Sequence, residues 1–308
     1  MNTATKLGVY ALGLAVVFGG TTGIGKIAGP VGATADTGQG GHGGHGGDTG
    51  TPVPGGLQIS QGGYTLVPRR TTFNPGELTD FRFTINGPDG RPVTGFKPLH
   101  GKRLHLIIAR RDLSGFQHLH PTEVGGGVWA IAIVLPKAGT YRFFTDVQPE
   151  GAKEQLTLGT DIFADGRSEY TPLPRQEPVS QVVDGYEVTL AGQLVPGKSS
   201  KLTLSVRRNG EPVTNLEEYL EAYGHLVALR QGDLAYLHVH PDGDPGDGKT
   251  KPGPDITFYA EAPSAGAYRL YLDFQHEGKV RTAEFTVQAA TSGGPVQQAP
   301  EEGHSHSH

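Results

Sequence analysis

Apolar and polar residues alternate along much of the chain, which is the period of a β-strand with one buried face. Two clear examples are Thr79 to Ile85 and Lys201 to Val206. Soon after them come Asn86-Gly87 and Asn209-Gly210, and the Asn-Gly dipeptide tolerates the positive φ angles of tight hairpins. This pattern predicts an all-β protein built from short strands and tight turns.

The strand pattern occurs twice. Residues 63–165 can be laid over residues 185–287 with matched features in the same order. The densest match pairs His105 and the later His118-Leu119-His120-Pro121 with His225 and the later His238-Val239-His240-Pro241. In both copies the first histidine lies thirteen residues before the second. We therefore interpret the chain as two tandem copies of one domain.

Each copy has about seven predicted strands, with turn residues every 8 to 12 positions, and this pattern predicts two tandem immunoglobulin-like β-sandwich domains. The apolar segment before them predicts one N-terminal hydrophobic helix. In the second copy, Leu216, Tyr219, Leu220 and Tyr223 have helical spacing and predict one local helix. The predicted segments are 1–35 (signal peptide or membrane anchor), 36–62 (disordered Gly/His linker), 63–170 (first sandwich), 171–184 (interdomain linker), 185–290 (second sandwich) and 291–308 (disordered His-rich tail).

The N-terminal segment is uncharged from Leu7 to Gly25, between Lys6 and Lys26. Its length is close to the roughly 20 apolar residues of a membrane-spanning helix. Ala33-Thr34-Ala35 alternatively provides a small-residue cleavage site for a secretory signal peptide. Under either interpretation the two copies lie outside the cytoplasm, anchored to the membrane or secreted.

Composition restricts the chemistry of the chain. There is no cysteine and one methionine, so a bound metal must be held by nitrogen and oxygen atoms. The net charge of -5 includes no basic stripe, which excludes a nucleic-acid partner. Of the 13 histidines, eight lie within the two copies. Histidine is therefore the residue type on which a functional hypothesis depends.

His118 and His120 stand two residues apart on a predicted strand and project to the same face. His105 opens an earlier strand that we expect to pair with or lie beside this one, and Asp146 ends a later strand. Three imidazoles and a carboxylate form a ligand set for Cu(II) or Zn(II). The predicted metal ligands are His105, His118, His120 and Asp146 in the first copy and His225, His238, His240 and Asp273 in the second.

Other interpretations of these residues remain open. The histidines can be structural, and each aspartate follows an arginine, Arg142 or Arg269, by four residues, which also suits an ion pair. His100 and His276 have no histidine counterpart in the other copy and are interpreted as peripheral. The common enzymatic motifs are missing, so we expect a protein that is not an enzyme.

The apolar N-terminal segment, Leu104-His105-Leu106 with His118-Leu119-His120-Pro121, and their second-copy counterparts resemble actinobacterial membrane-anchored or secreted heavy-metal-binding-domain proteins. The chain is also similar in outline to exported β-sandwich copper carriers of the CopC and YtkA-like kind. The resemblance implies an immunoglobulin-like sandwich that handles copper. CopC-type carriers use their amino terminus as a copper ligand, and the long leader of this chain puts that ligand set in doubt.

These observations predict an extracytoplasmic divalent metal binding protein that buffers or delivers its ion, Cu(II) before Zn(II). Its expected partners are divalent metal ions, the membrane through the N-terminal segment, and a metal transporter or chaperone. One alternative is a cell-envelope scaffold or adhesion protein with structural histidines. A weaker alternative is a mononuclear metal oxidoreductase.

Overall fold

The computed structural model describes residues 53–290, which fall within one compact unit. The predicted N-terminal helix, the linker up to residue 52 and the tail 291–308 lie outside these residues. Within 53–290 the fold is all-β, and its helical content is one 3₁₀ turn, Val183–Gly185. No helix in this range is long and apolar enough to span a membrane.

The first copy forms two sheets from eleven strands, with strand orders β1-β2-β4-β9-β8 and β3-β11-β10-β6-β7, and β5 added beside β10. Its strands are β1 Ser60–Gln61, β2 Tyr64–Pro68, β3 Thr72–Phe73, β4 Leu78–Asn86, β5 Phe96–Lys97, β6 Leu104–Arg110, β7 Gln117–Leu119, β8 Thr122–Glu123, β9 Val128–Val134, β10 Gly139–Pro149 and β11 Leu156–Ala164.

The second copy also forms two sheets, with strand orders β12-β13-β14-β18-β17 and β16-β19-β20, and β15 added beside β14. Its strands are β12 Val179–Val182, β13 Tyr186–Gly192, β14 Ser199–Arg208, β15 Glu211–Pro212, β16 His225–Arg230, β17 His238–Pro241, β18 Asp255–Glu261, β19 Gly266–His276 and β20 Lys279–Ala289.

Strand order identifies both copies as immunoglobulin-like sandwiches. The sequence β2-β4-β9-β8 follows the A-B-E-D order of one immunoglobulin sheet, and β11-β10-β6 follows the G-F-C order of the other. Each copy also has a tyrosine corner at the start of its F strand. The hydroxyl of Tyr141 donates to the Lys137 carbonyl, and that of Tyr268 to the Ser264 carbonyl, both over 2.8 Å.

The two copies pack against each other through their C and F strands. All seven residues of β6 are buried because Leu104, Leu106 and Ile108 face the sandwich core while Ile107 and Ala109 face the other copy. Strands buried on both faces lose polar alternation, which explains the continuous apolar run in β6. The shared apolar cluster between the copies is Ile107, Ala109, Leu113, Phe144, Val227, Leu229, Leu234 and Tyr271.

Two equivalent aromatic pairs form contacts across the interface between the copies. Phe116 of the first copy stacks on Tyr271 of the second, with ring centroids 3.9 Å apart. In the reciprocal position, Tyr236 of the second copy packs against Phe144 of the first at 5.7 Å. The copies therefore meet through matching surfaces, as the subunits of a two-fold dimer do.

Both predicted linkers are wrong in part. Ser60–Gln61 pairs with β2, and Gly55 bridges to Tyr236, so residues 55–61 belong to the fold. The predicted interdomain linker 171–184 contains β12, which pairs with β13. In each case the backbone groups of the segment find partners at a sheet edge or in the other copy.

The local helix predicted for the second copy is also wrong. Leu220 and Glu221 have positive φ angles of 57° and 62° in a tight turn between Tyr219 and Ala222, which bond to each other. The amide of Glu217 donates to the Gln275 carbonyl rather than to a helical neighbour. Apolar residues at helical spacing here reflect side-chain burial in an irregular segment.

Candidate metal centre

The histidine of β6 lies on the interface face of its strand. His105 shares that face with Ile107 and Ala109, which belong to the apolar cluster between the copies. Strand β7 pairs with β6 so that His118 lies opposite Ile107, and His120 follows at the end of β7. The predicted pairing of these two strands is confirmed. It brings three imidazoles together near the N-terminal end of β6.

Three ring nitrogens converge at this point. The Nδ1 atom of His105 lies 3.1 Å from Nε2 of His118 and 3.2 Å from Nε2 of His120. One ligand atom from each of the three residues lies within 4.8 Å of the others. In a tetrahedral site with bonds of about 2.0 to 2.1 Å, ligand nitrogens stand about 3.3 Å apart. The spacing of the triad therefore fits a shared ion.

Hydrogen bonds to the outer nitrogens determine which tautomers the triad holds. The Nε2–H group of His105 donates to the Leu99 carbonyl over 2.8 Å, since a carbonyl can only accept. The Nδ1–H group of His118 donates to the Asp273 carboxylate over 2.8 Å. In the neutral rings, Nδ1 of His105 and Nε2 of His118 then carry lone pairs that face each other. A cation between them, either a metal ion or a proton, makes this contact favourable.

Burial keeps two of the three rings, those of His105 and His120, in the neutral form that binds metals. His105 is 2% exposed and the side chain of His118 is 2% exposed. Desolvation, assisted by the neighbouring imidazoles, lowers the pKa of His105 to about 4 and that of His120 to about 3. Both rings are therefore unprotonated at neutral pH.

Residues of the second copy complete the surroundings of the triad. His225 lies parallel to His105, with ring centroids 5.6 Å apart, and 4.8 Å from the ring of His118. Burial lowers its pKa well below the usual value. Tyr219 lies 6.3 Å from His120, and burial raises the pKa of its hydroxyl to about 12.

The two aspartates act across the interface. Asp273 accepts hydrogen bonds from Thr282 of its own copy, over 2.6 Å, and from His118 of the first copy. Asp146 accepts from Thr157 over 2.6 Å and is hydrogen-bonded to Tyr236 of the second copy. Burial raises the pKa of Asp146. Neither aspartate joins the triad as a direct ligand.

The alternative ion pairs of these aspartates are absent among the residues that the structure describes. Arg142 instead binds Asp161 and the Gly56 carbonyl. Arg269 binds Glu284 over 2.6 Å and Thr286. Each arginine points toward the last strand of its copy, β11 or β20, rather than pairing with the aspartate. The aspartate carboxylate can therefore bond to residues at the interface.

The second-copy motif has a different environment. His118 pairs with the C strand, whereas His238 begins β17 and pairs with Glu261 of β18 in the other sheet. The chain therefore changes sheets earlier in the second copy. His240 is exposed, and Asp273 is committed to His118. Among the described side chains, one triad assembles, and His225 lies beside it.

His105 also lines a cavity of about 160 Å³. It is lined by polar groups of both copies, including His100, His105, His225, His240, Asp146 and Tyr236. His100 stands 5.5 Å from the ring of His225 and is half-buried, so it belongs to the cluster rather than to the periphery.

Sequence reasoning missed three neighbours of the centre, His100, Tyr219 and Tyr236. A signal for Tyr236 is present, since an aromatic residue precedes each His-x-His pair by two positions, Phe116 in the first copy. His276 is buried, not peripheral. Its ring lies 2.7 Å from the Tyr186 hydroxyl and 3.1 Å from the Asn215 side chain.

Comparison with solved structures gives distant matches. The Escherichia coli adhesin FdeC is 14% identical, with a TM-score of 0.24, and the match covers 75% of this chain and 65% of that one. InvD of Yersinia pseudotuberculosis is 12% identical with a TM-score of 0.25, covering 79% and 62%. The chain thus spans less than two thirds of these structures, and scores this low support no argument about function.

No curated protein matches the chain. A family profile described as a domain of unknown function, DUF8832, matches twice, over residues 59–162 and 181–291. The two matches fall on the two sandwiches. Because together they cover more than half of the sequence, the chain belongs to the DUF8832 family.

Proposed function

We propose that this protein binds a divalent transition-metal ion through Nδ1 of His105, Nε2 of His118 and Nε2 of His120. The observation that carries the proposal is the convergence of these nitrogens. Nδ1 of His105 lies 3.1 Å from that of His118 and 3.2 Å from that of His120, while the outer nitrogens of His105 and His118 are bonded to acceptors. Metal-binding histidines have this arrangement, in which a carbonyl or carboxylate fixes the tautomer.

The ligand set indicates the class of ion. Imidazole nitrogen suits Cu(II) and Zn(II), and the sequence has no thiolate to favour a softer ion. We place Cu(II) before Zn(II). Three protein ligands leave a coordination position for water or for a group of a partner protein. Such an open position suits a protein that buffers a metal outside the cytoplasm or hands it to a transporter or chaperone.

A second candidate function uses the same histidines as structural groups. The hydrogen bond between His118 and Asp273 joins the two copies directly, with both side chains almost fully buried. A rigid two-domain module of this kind suits a cell-envelope scaffold or adhesion protein. The two functions differ in one measurable property, which is whether the folded domains bind a metal ion tightly.

The test uses the full-length chain with the histidines outside the domains, His42, His45, His304, His306 and His308, replaced by asparagine. In this background we expect Zn(II) and Cu(II) titrations, followed by calorimetry, to show one tight site per chain. His120→Ala should abolish that site, because His120 is half-buried and contributes one of three ligands.

His240→Ala is the matched control. It alters the corresponding position of the second copy, which is exposed and outside the triad. We expect this variant to bind metal as the background does. A background chain that binds no metal would support the scaffold function instead. If both variants lose binding equally, or if neither variant loses it, the triad is not the site.

A further inference from the structure

We propose that Asp273, a residue of the second copy, is a positioning residue for the metal site of the first copy, so that the site is complete only when the two copies are docked. This inference rests on the proposed function. It adds a dependence on the other domain, which the positions of the three ligands alone do not imply.

The contact itself is well defined. His118 Nδ1 and Asp273 Oδ2 lie 2.8 Å apart, with 2% and 4% of the two side chains exposed. Asp273 is itself held by Thr282, its cross-strand neighbour in β20. The carboxylate is therefore a fixed acceptor, and it orients the ring of His118 with Nε2 toward the other two histidines.

Without the carboxylate, the Nδ1–H tautomer of His118 loses the acceptor that stabilises it. A neutral imidazole places its proton on whichever nitrogen finds an acceptor. If the proton moves to Nε2, the nitrogen that faces His105 becomes a donor and no longer offers a lone pair. Outer-shell partners of this kind typically contribute about 10- to 100-fold to metal affinity.

The docking of the copies and the binding of metal are then linked. His225 lies against His105 and Tyr219 lies near His120, so both sides of the triad meet the second copy. Any change that separates the copies removes Asp273 from His118 and weakens metal binding. By reciprocity, a bound ion stabilises the docked arrangement by the same factor.

Asp146 provides a matched control because it is the counterpart of Asp273 in the first copy. Each aspartate is the cross-strand partner of a histidine, His105 or His225, and each accepts a hydrogen bond from a threonine of the last strand. Asp146, however, bonds to Tyr236 and not to a member of the triad. The two aspartates thus share their local structure and differ in their contact with a ligand.

The experiment compares Asp273→Asn with Asp146→Asn in the full-length background that lacks the tail histidines. We expect Asp273→Asn to weaken Zn(II) binding by about 10- to 100-fold and Asp146→Asn to change it by less than about threefold. Equal effects of the two substitutions, with Zn(II) still bound by the parent, would overturn the positioning role and leave the proposed function standing.

A second readout uses the metal-free protein. Imidazole ¹⁵N NMR should show His118 as the Nδ1–H tautomer in the parent and Asp146→Asn chains, and with Nε2–H populated in Asp273→Asn. An unchanged tautomer would overturn the inference. If the parent binds no Zn(II) but the tautomer changes, the proposed function fails while Asp273 is still shown to orient His118.

Discussion

The hydrogen bond between His118 and Asp273 joins residues that are 155 positions apart and lie in different copies of the repeat. Although the two sandwiches have the same fold, they contribute different groups to the candidate centre. The first copy supplies the three converging nitrogens, and the second supplies the carboxylate that orients one of them. The candidate centre is therefore a property of the pair of domains.

The interface should contribute to stability at Tyr271. Its hydroxyl donates to the Leu113 carbonyl over 2.5 Å in a buried position, and its ring stacks on Phe116. Tyr271→Phe leaves that carbonyl without its donor, and we expect a loss of about 1 to 3 kcal/mol in the free energy of unfolding. Urea denaturation measures it. Tyr259→Phe, at a position that is 38% exposed, should change stability little, and equal effects of the two would contradict the packing described.

Metal-free protein should lose stability in mild acid. An unfolded histidine takes up a proton near its usual pKa of 6.5, whereas folded His105 does so only at about 4 and His120 at about 3. The unfolded chain then binds more protons between these values, so the contribution is fully present above pH 6.5 and is lost as pH falls toward 4.

Urea midpoints measured across this range should fall more steeply for the parent than for His120→Gln, which removes one of the depressed groups. Parallel curves for the two chains would show that His120 is not held neutral by its burial.

Bound metal should raise the free energy of unfolding by mass action. At a free Zn(II) concentration of about 100 times Kd, the expected gain is about 2.7 kcal/mol. Thermal denaturation of the background lacking the tail histidines measures this gain. His240→Ala should retain it and His120→Ala should lose it. A gain that persists in His120→Ala would place the ion elsewhere.

The turn at Leu220 and Glu221 carries a local strain that can be relieved. Glu221 has a φ angle of 62°, while the equivalent residue of the first copy is Gly101, with a φ angle of 71°. Glu221→Gly should therefore stabilise the protein by about 1 kcal/mol. Glu218→Gly, at an exposed position without positive φ, should destabilise it. Chemical denaturation compares the two, and a loss of stability in Glu221→Gly would contradict the turn geometry.

Local patterns predicted much of the fold and the first-copy triad. Period-two alternation identified the strands, and the spacing of His105 from His118 placed two paired strands correctly, because strand pairing between neighbours in sequence depends on nearby residues. The immunoglobulin-like topology and the duplication followed from the same signals.

Local sequence patterns could not predict the contacts that form where the two copies dock. Asp273 was assigned to the histidines of its own copy, since nothing in its local sequence indicates that the C and F strands of the two copies face each other. The continuous apolar run in β6 was the one signal of that burial. The turn at Leu220 was mistaken for a helix because burial alone can produce helical spacing.

The most direct test of the metal centre is anomalous diffraction from crystals of the Zn(II)-loaded chain, recorded at the zinc absorption edge. We expect a peak about 2.0 to 2.1 Å from Nδ1 of His105 and from Nε2 of His118 and His120. A fully occupied peak elsewhere, with the triad empty at saturating Zn(II), would contradict it.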